Sequence, residues 1–244
     1  MRDDELYVGR TDYQNCWYKD FCEYAGTDEC DAQCKRFVQT DYLFQLSNLP
    51  KSCWTSQKLS TELLIPEVKE TICTVMADIE FYVKSGFNMY LYGDTGCGKT
   101  SWAIKLMNNY FACIAEKNNF STRGLFINIP SFLRDSKLHM TYKSNNFLDL
   151  LNTIKVCDIV IWDEVGQTNP TNYESQWLYS YINERLLAKK CNIYTSNLSP
   201  EALREVDERL ASRVCSESDC LEITGVDMRT TKTYTAFMNS GEVV

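Results

Sequence analysis

The chain has 244 residues, 44% hydrophobic and 24% charged, with a net charge of −8, enough for one sizeable core and a small accessory module. No apolar run approaches the ~20 residues that cross a bilayer, and the acidic, mixed N-terminus MRDDELYVGR lacks the apolar stretch of a secretion signal, so a cytoplasmic protein without a membrane partner is expected. The acidic balance weighs against coating nucleic acid along a broad basic face, while leaving room for a narrow single-strand channel or a basic protein partner.

Residues 1 to about 57 are rich in Asp, Cys, Tyr and Trp and show no long helical period. Composition shifts near Ser56 to Ser60, so two units are expected, 1–57 and 58–244. Of twelve cysteines, four stand close together at Cys16, Cys22, Cys30 and Cys34, separated by five, seven and three residues. In a reducing compartment these are not expected to form disulfides. Four thiolates can close a tetrahedral structural Zn²⁺ site, whose binding would supply folding free energy that so short a segment lacks. The spacing has no C-x-x-C pair, so free thiols in a small core stay open as the alternative, and Cys53 could replace one ligand. Trp17, Tyr18, Phe21 and Tyr24 are either that unit's core or a docking face.

From Glu62 to Lys84 the apolar positions Leu63, Ile65, Val68, Ile72, Val75, Met76, Ile79 and Val83 predict one long amphipathic helix, with Pro66 in its first turn and Gly86 as its stop. Strands are predicted at 87–92, 125–129, 158–162, 192–196 and 221–223. Helices are predicted at 101–117, 148–156, 173–190 and 200–213. Alternation of strands with helices implies crossover connections, hence an α/β fold with a parallel five-stranded sheet flanked by helices.

Between the first strand and its helix lies GDTGCGKT, which fits G-x-x-x-x-G-K-[ST] in full. Gly93, Asp94, Thr95, Gly96, Cys97, Gly98, Lys99, Thr100 and Ser101 thus form a candidate cradle for the phosphates of ATP. The glycines let successive N–H groups point at phosphate oxygens, and the helix adds its positive dipole end. Lys99 would reach the β- and γ-phosphates, and the Thr100 hydroxyl would ligate Mg²⁺. The apolar strand ending Trp162-Asp163-Glu164 places Asp163 for the Mg²⁺ shell and Glu164 to polarise an attacking water. Asn197, ending Tyr194-Thr195-Ser196-Asn197, either orients that water or serves as a turn or cap residue before Ser199-Pro200.

GDTGCGKT, IVIWDE, YTSN and Glu208-Arg209-Leu210-Ala211-Ser212-Arg213 together resemble the AAA+ ATPases of the DnaC/DnaI helicase-loader type, with phage and firmicute members the most similar. The resemblance runs from about Leu59 to the C-terminus. It implies loading of a hexameric, ring-shaped replicative helicase onto single-stranded DNA by an ATP-driven, P-loop AAA+ core. By matched position, Arg213 is similar to the arginine finger that enters a neighbouring subunit's site, with Arg209 its rival on the same helix. Arg229, in Asp227-Met228-Arg229 after Gly225, resembles a sensor arginine. A finger acting in trans implies a homo-oligomer. A solvated helix face beside Glu205 and Glu208 stays open for Arg209 and Arg213. The short stretch after this helix leaves no room for a full helical lid, as in loaders of this type. The resemblance also favours zinc at the cysteine cluster, as part of a helicase-contacting module at 1–57.

Between Ser131 and Ser144, Arg134, Lys137, His139 and Lys143 alternate with Phe132 and Tyr142. Cations for phosphates and rings for base stacking suit single-stranded DNA; an ordinary surface loop is the alternative. Two other functional classes compete with the loader. A transposition helper ATPase has a similar core, and a nucleotide-gated replication adaptor would bind ATP with little hydrolysis.

Overall fold

The computed structural model describes residues 16, 22–30, 34–54, 59–167 and 171–225. Its five strands are β1 (Asn88–Tyr92), β2 (Gly124–Asn128), β3 (Ile159–Asp163), β4 (Cys191–Ser196) and β5 (Asp219–Glu222). They form one parallel sheet in the order β2-β3-β4-β1-β5, as the alternating pattern requires. The interior strands β3 and β4 are buried at every position, the mark of a parallel strand covered on both faces.

Two apolar cores, one per face, follow from the strand period of two. Met89, Leu91, Ile159, Ile161 and Ile193 enter one core. Tyr90, Val160, Trp162 and Tyr194 enter the other. The first core is covered by α1 (Lys35–Leu46), α2 (Pro66–Ala77), α3 (Ile79–Ser85) and α4 (Lys99–Ile114). The second packs against α5 (Ile129–Tyr142), α6 (Asn145–Val156), α7 (Asn172–Leu187), α8 (Pro200–Val206) and α9 (Glu208–Ser216).

Several elements differ from the sequence expectation. The predicted helix over 62–84 is split: a 3-10 turn at Thr61–Leu63 precedes α2, and Asp78 leaves helical geometry at φ −137°, ψ 52° before α3. Gly86 ends α3 at φ 75°, where a Cβ would lie 2.4 Å from the Lys189 carbonyl oxygen. The predicted helix over 200–213 is likewise two helices, because Asp207 turns out of helical geometry and accepts a bond from the Leu210 N–H to start α9.

Packing does not follow the compositional shift near residue 57. Helix α1 places Leu43 and Phe44 in the same core as α4, with Phe44 stacked on Trp54 and edge-on to Phe111. The Phe126 N–H donates to the Ser47 carbonyl at 2.7 Å, joining this segment to β2. No helical period is visible there because Gln39 and Thr40 share the buried stripe with Phe37 and Phe44; Gln39 donates through Nε2 to the Asn118 carbonyl at 3.0 Å. Polar residues on the buried side erase the pattern that a sequence reading relies on.

At the N-terminal ends of β3 and β4, Arg185 is wholly buried. Its Nε donates to Asn192 Oδ1 at 2.7 Å, and its Nη atoms donate to the carbonyls of Ile154, Cys157 and Cys191. One side chain of α7 thereby closes the end of α6 and the starts of β3 and β4.

Candidate functional site

Because β4 lies between β1 and β3, the C-terminal ends of three strands converge at one edge of the sheet. The register sets Tyr92 beside Ser196 and Trp162 beside Tyr194. The loop after β1, the acids after β3 and the polar end of β4 are therefore neighbours, as expected for a crevice at the carboxyl edge of an open α/β sheet.

The β1–α4 loop owes its path to glycine. Gly93 has φ 139°, and a Cβ there would lie 2.3 Å from the Ile223 carbonyl oxygen. Gly96 and Gly98 also have positive φ, and Gly98 starts α4, so the first N–H groups of a 16-residue helix open toward the loop. Lys99 is almost buried, with its Nζ donating to the Gly93 and Asp94 carbonyls at 2.9 and 2.6 Å. The ammonium lies 3.6 Å from the buried Cys97 sulfur. It is held within the loop, where exchanging carbonyl partners for phosphate oxygens needs only a side-chain movement.

Asp163 is buried, and its Oδ1 accepts from the Thr100 hydroxyl at 2.7 Å and the Thr195 hydroxyl at 2.8 Å. Hydroxyl and carboxylate oxygens set together suit a hard divalent cation such as Mg²⁺, so the donor set present fits that ion.

Glu164 adopts φ 67°, a left-handed conformation unusual outside glycine. Such a residue costs about 1–3 kcal/mol and persists where its surroundings over-determine it. Here its N–H donates to Thr195 Oγ1 at 3.2 Å, and the Val165 N–H donates to the Thr195 carbonyl at 2.8 Å. Its carboxylate accepts from the Asn128 amide at 3.0 Å. Asn128 ends β2 in register with Asp163, and the same amide reaches Asp163 Oδ2 at 3.4 Å. Its Oδ1 accepts from the Ser131 N–H, capping α5. Sequence reading missed Asn128; the Asn before Ile129-Pro130-Ser131 signals a helix cap, but nothing local signals contact with two acids.

Asn197 is exposed and donates through Nδ2 to the Thr95 hydroxyl of the β1 loop at 3.2 Å. The α8 cap belongs to Ser199, which removes the capping alternative for Asn197. Arg209 and Arg213 lie on α9 against Tyr179 of α7, and none of their hydrogen bonds or ion pairs among the described residues reaches the loop or the acids. Arg229, Trp17, Tyr18 and Phe21 lie outside the described residues.

The zinc expectation finds no support in the packing. Cys16, Cys22, Cys30 and Cys34 are all described and are free thiols, and among the described residues no three His, Cys, Asp or Glu side chains form a metal-ligating group. Residues 131–142 of this stretch lie in helix α5 rather than a loop, and Lys143 is its left-handed C-cap. Phe132 is turned inward against Trp162, so it is not a base-stacking ring. Lys137 pairs with Glu174 at 2.9 Å, while Arg134 and Lys143 are exposed. Among the described residues no helix is long and apolar enough to cross a membrane.

Residues 69–217 match the family described as the bacterial DnaA ATPase domain. The chromosomal replication initiator protein DnaA of Aliarcobacter butzleri (strain RM4018) is 26% identical over 125 residues, 51% of this chain and 26% of that protein. The chain thus matches about a quarter of that relative's length. Among solved structures, the DnaC helicase loader has a TM-score of 0.57 at 17% identity, covering 72% of this chain and 100% of that one. A replication initiator DnaA bound to AMPPCP and single-stranded DNA has a TM-score of 0.53 at 18% identity, covering 72% and 51%. These likenesses establish a shared fold, the α/β P-loop architecture of AAA+ domains.

Proposed function

The chain belongs to the family of the bacterial DnaA ATPase domain, and from that premise we propose that it is an ATP-hydrolysing loader of a hexameric replicative helicase onto single-stranded DNA. The observation that carries the ATPase part is the continuous bonded set of Thr100, Asp163, Thr195, Glu164 and Asn128 beside the glycine loop.

In this reading the N–H groups of Gly93 to Ser101 and the Lys99 ammonium bind the phosphates of ATP. Mg²⁺, when bound, neutralises charge on the β- and γ-phosphates, with Thr100 and Asp163 as its protein ligands. Glu164 accepts a proton from the attacking water, and Asn128 orients the Glu164 carboxylate until then. Asn197, already touching Thr95, senses the γ-phosphate end of the loop. Arg213, or Arg209, approaches the nucleotide of a neighbouring copy, which makes the ATP form a homo-oligomer; Arg229 is the remaining sensor candidate.

Loading is favoured over initiation by the full coverage of the DnaC helicase loader fold. The Cys-rich segment ahead of α1 is then the helicase-contacting module, and α5 with its C-cap, where Arg134 and Lys143 are exposed, faces single-stranded DNA. The test is helicase loading onto DNA coated with single-strand-binding protein, comparing the native chain with Lys99→Ala. Stimulation that falls with Lys99→Ala supports the loader. Equal stimulation by both means a passive adaptor, and no association with any helicase points to a transposition helper.

A further inference from the structure

Beside the apolar core that α7 and α9 share, the two helices are also joined by one polar side chain that no motif singles out. Tyr179 of α7 receives both arginines of α9: Arg213 Nε donates to its hydroxyl at 3.3 Å, and the Arg209 guanidinium lies 4.8 Å from its ring centroid. The two arginines stand one turn apart on α9 and so share a face. Neither forms an ion pair among the described residues, although Glu205 and Glu208 closely precede them in sequence.

The choice of partner matters. A carboxylate would orient a guanidinium and also cancel its charge. A tyrosine orients it through a ring face and one hydroxyl and leaves the charge available. Arg213 commits only its Nε–H to Tyr179, so the terminal N–H groups of its planar fork remain for an external phosphate.

We propose that Tyr179 is a positioning residue: its hydroxyl sets Arg213, and its ring carries Arg209, for the phosphates of ATP held by a neighbouring copy. This rests on the trans-acting arginine proposed above. The experiment measures AMPPCP-dependent self-association by sedimentation, and ATP turnover with its KM, for the native chain, Tyr179→Phe, Tyr179→Ala, Arg213→Ala and Arg209→Ala. Arg213→Ala should lower kcat by about a hundredfold or more. Tyr179→Phe, which keeps the ring, should lower kcat by about tenfold, with the KM for ATP unchanged and a weaker AMPPCP-dependent assembly. Tyr179→Ala should fall further, because Arg209 also loses its support. A residue needed only for packing would not split kcat from KM in this way. Native kcat and assembly in both Tyr179 variants, with Arg213→Ala impaired, would overturn the positioning role alone. A native chain that stays monomeric with AMPPCP, or no effect from either arginine, would overturn the trans-acting arginine itself and Tyr179 with it. Tyr179→Phe retains the packing, so its result decides the matter even if Tyr179→Ala fails to fold.

Discussion

Glu164 and Asn128 form one unit, since the left-handed backbone at Glu164 directs a carboxylate that the Asn128 amide then holds. Replacing Asn128 by alanine frees that carboxylate and removes the α5 cap. Turnover should fall by about ten- to a hundredfold with ATP affinity little changed, and the cap loss should cost about 1 kcal/mol in urea unfolding. Unchanged turnover would mean that the Asn128 bond only fixes α5. Lys99, Thr100 and Asp163 are legible in the sequence because a phosphate loop needs glycines at fixed intervals and an acid at the end of an apolar strand. Asn128 is not legible, since its contact with Glu164 spans 36 residues and exists only through the β2–β3 register.

At the scale of elements, β1 and β3 could be read directly because burial on both faces leaves apolar runs, whereas β5, an exposed edge strand, carries no such run. The breaks at Asp78 and Asp207 could not be read, because apolar spacing continues through both. Arg185 shows what joins elements once formed. Burial lowers its pKa, yet an arginine keeps its proton, so its donors must be satisfied by the carbonyls around it. Arg185→Ala should leave those carbonyls unpaired and cost about 3 kcal/mol or more by denaturant titration; a loss within ~0.5 kcal/mol would show that water replaces the guanidinium. A second link joins α3 to the turn after α4, where Glu80 accepts from Lys117 and Lys84. Those bonds lower the Glu80 pKa to about 2. A depressed carboxylate pKa gives stability that is present above the unfolded value of ~4.3 and lost as pH falls toward the folded value. Between pH ~4.5 and ~2 the native chain should therefore lose stability that Glu80→Gln never has, by ~1 kcal/mol or less because the pair is near the surface. Parallel acid-unfolding curves for the two proteins would contradict this.

At the scale of the whole molecule, α1 belongs to the core that also holds α4 and the sheet. Removing residues 1–57 strips Leu43, Phe44 and Leu49 from that core and exposes Phe111 beneath them. Each buried side chain of this kind contributes ~1.5–3 kcal/mol, so that truncation should melt well below the full chain or fail to fold. Removing residues 1–33 should leave the melting temperature within a few degrees. If both truncations melt like the full chain, α1 is an appendage. Composition cannot see a helix whose buried stripe includes Gln39 and Thr40.

The loop after β1, the acids at the end of β3 and the end of β4 are expected to act as one ATP-hydrolysing centre. The direct measurement is ATP affinity together with turnover for the native chain, Lys99→Ala and Glu164→Gln. Lys99→Ala should lose most ATP binding, while Glu164→Gln should bind ATP as the native chain does and turn it over ~100-fold or more slowly. Native turnover in Glu164→Gln, or native ATP affinity in Lys99→Ala, would contradict that assignment.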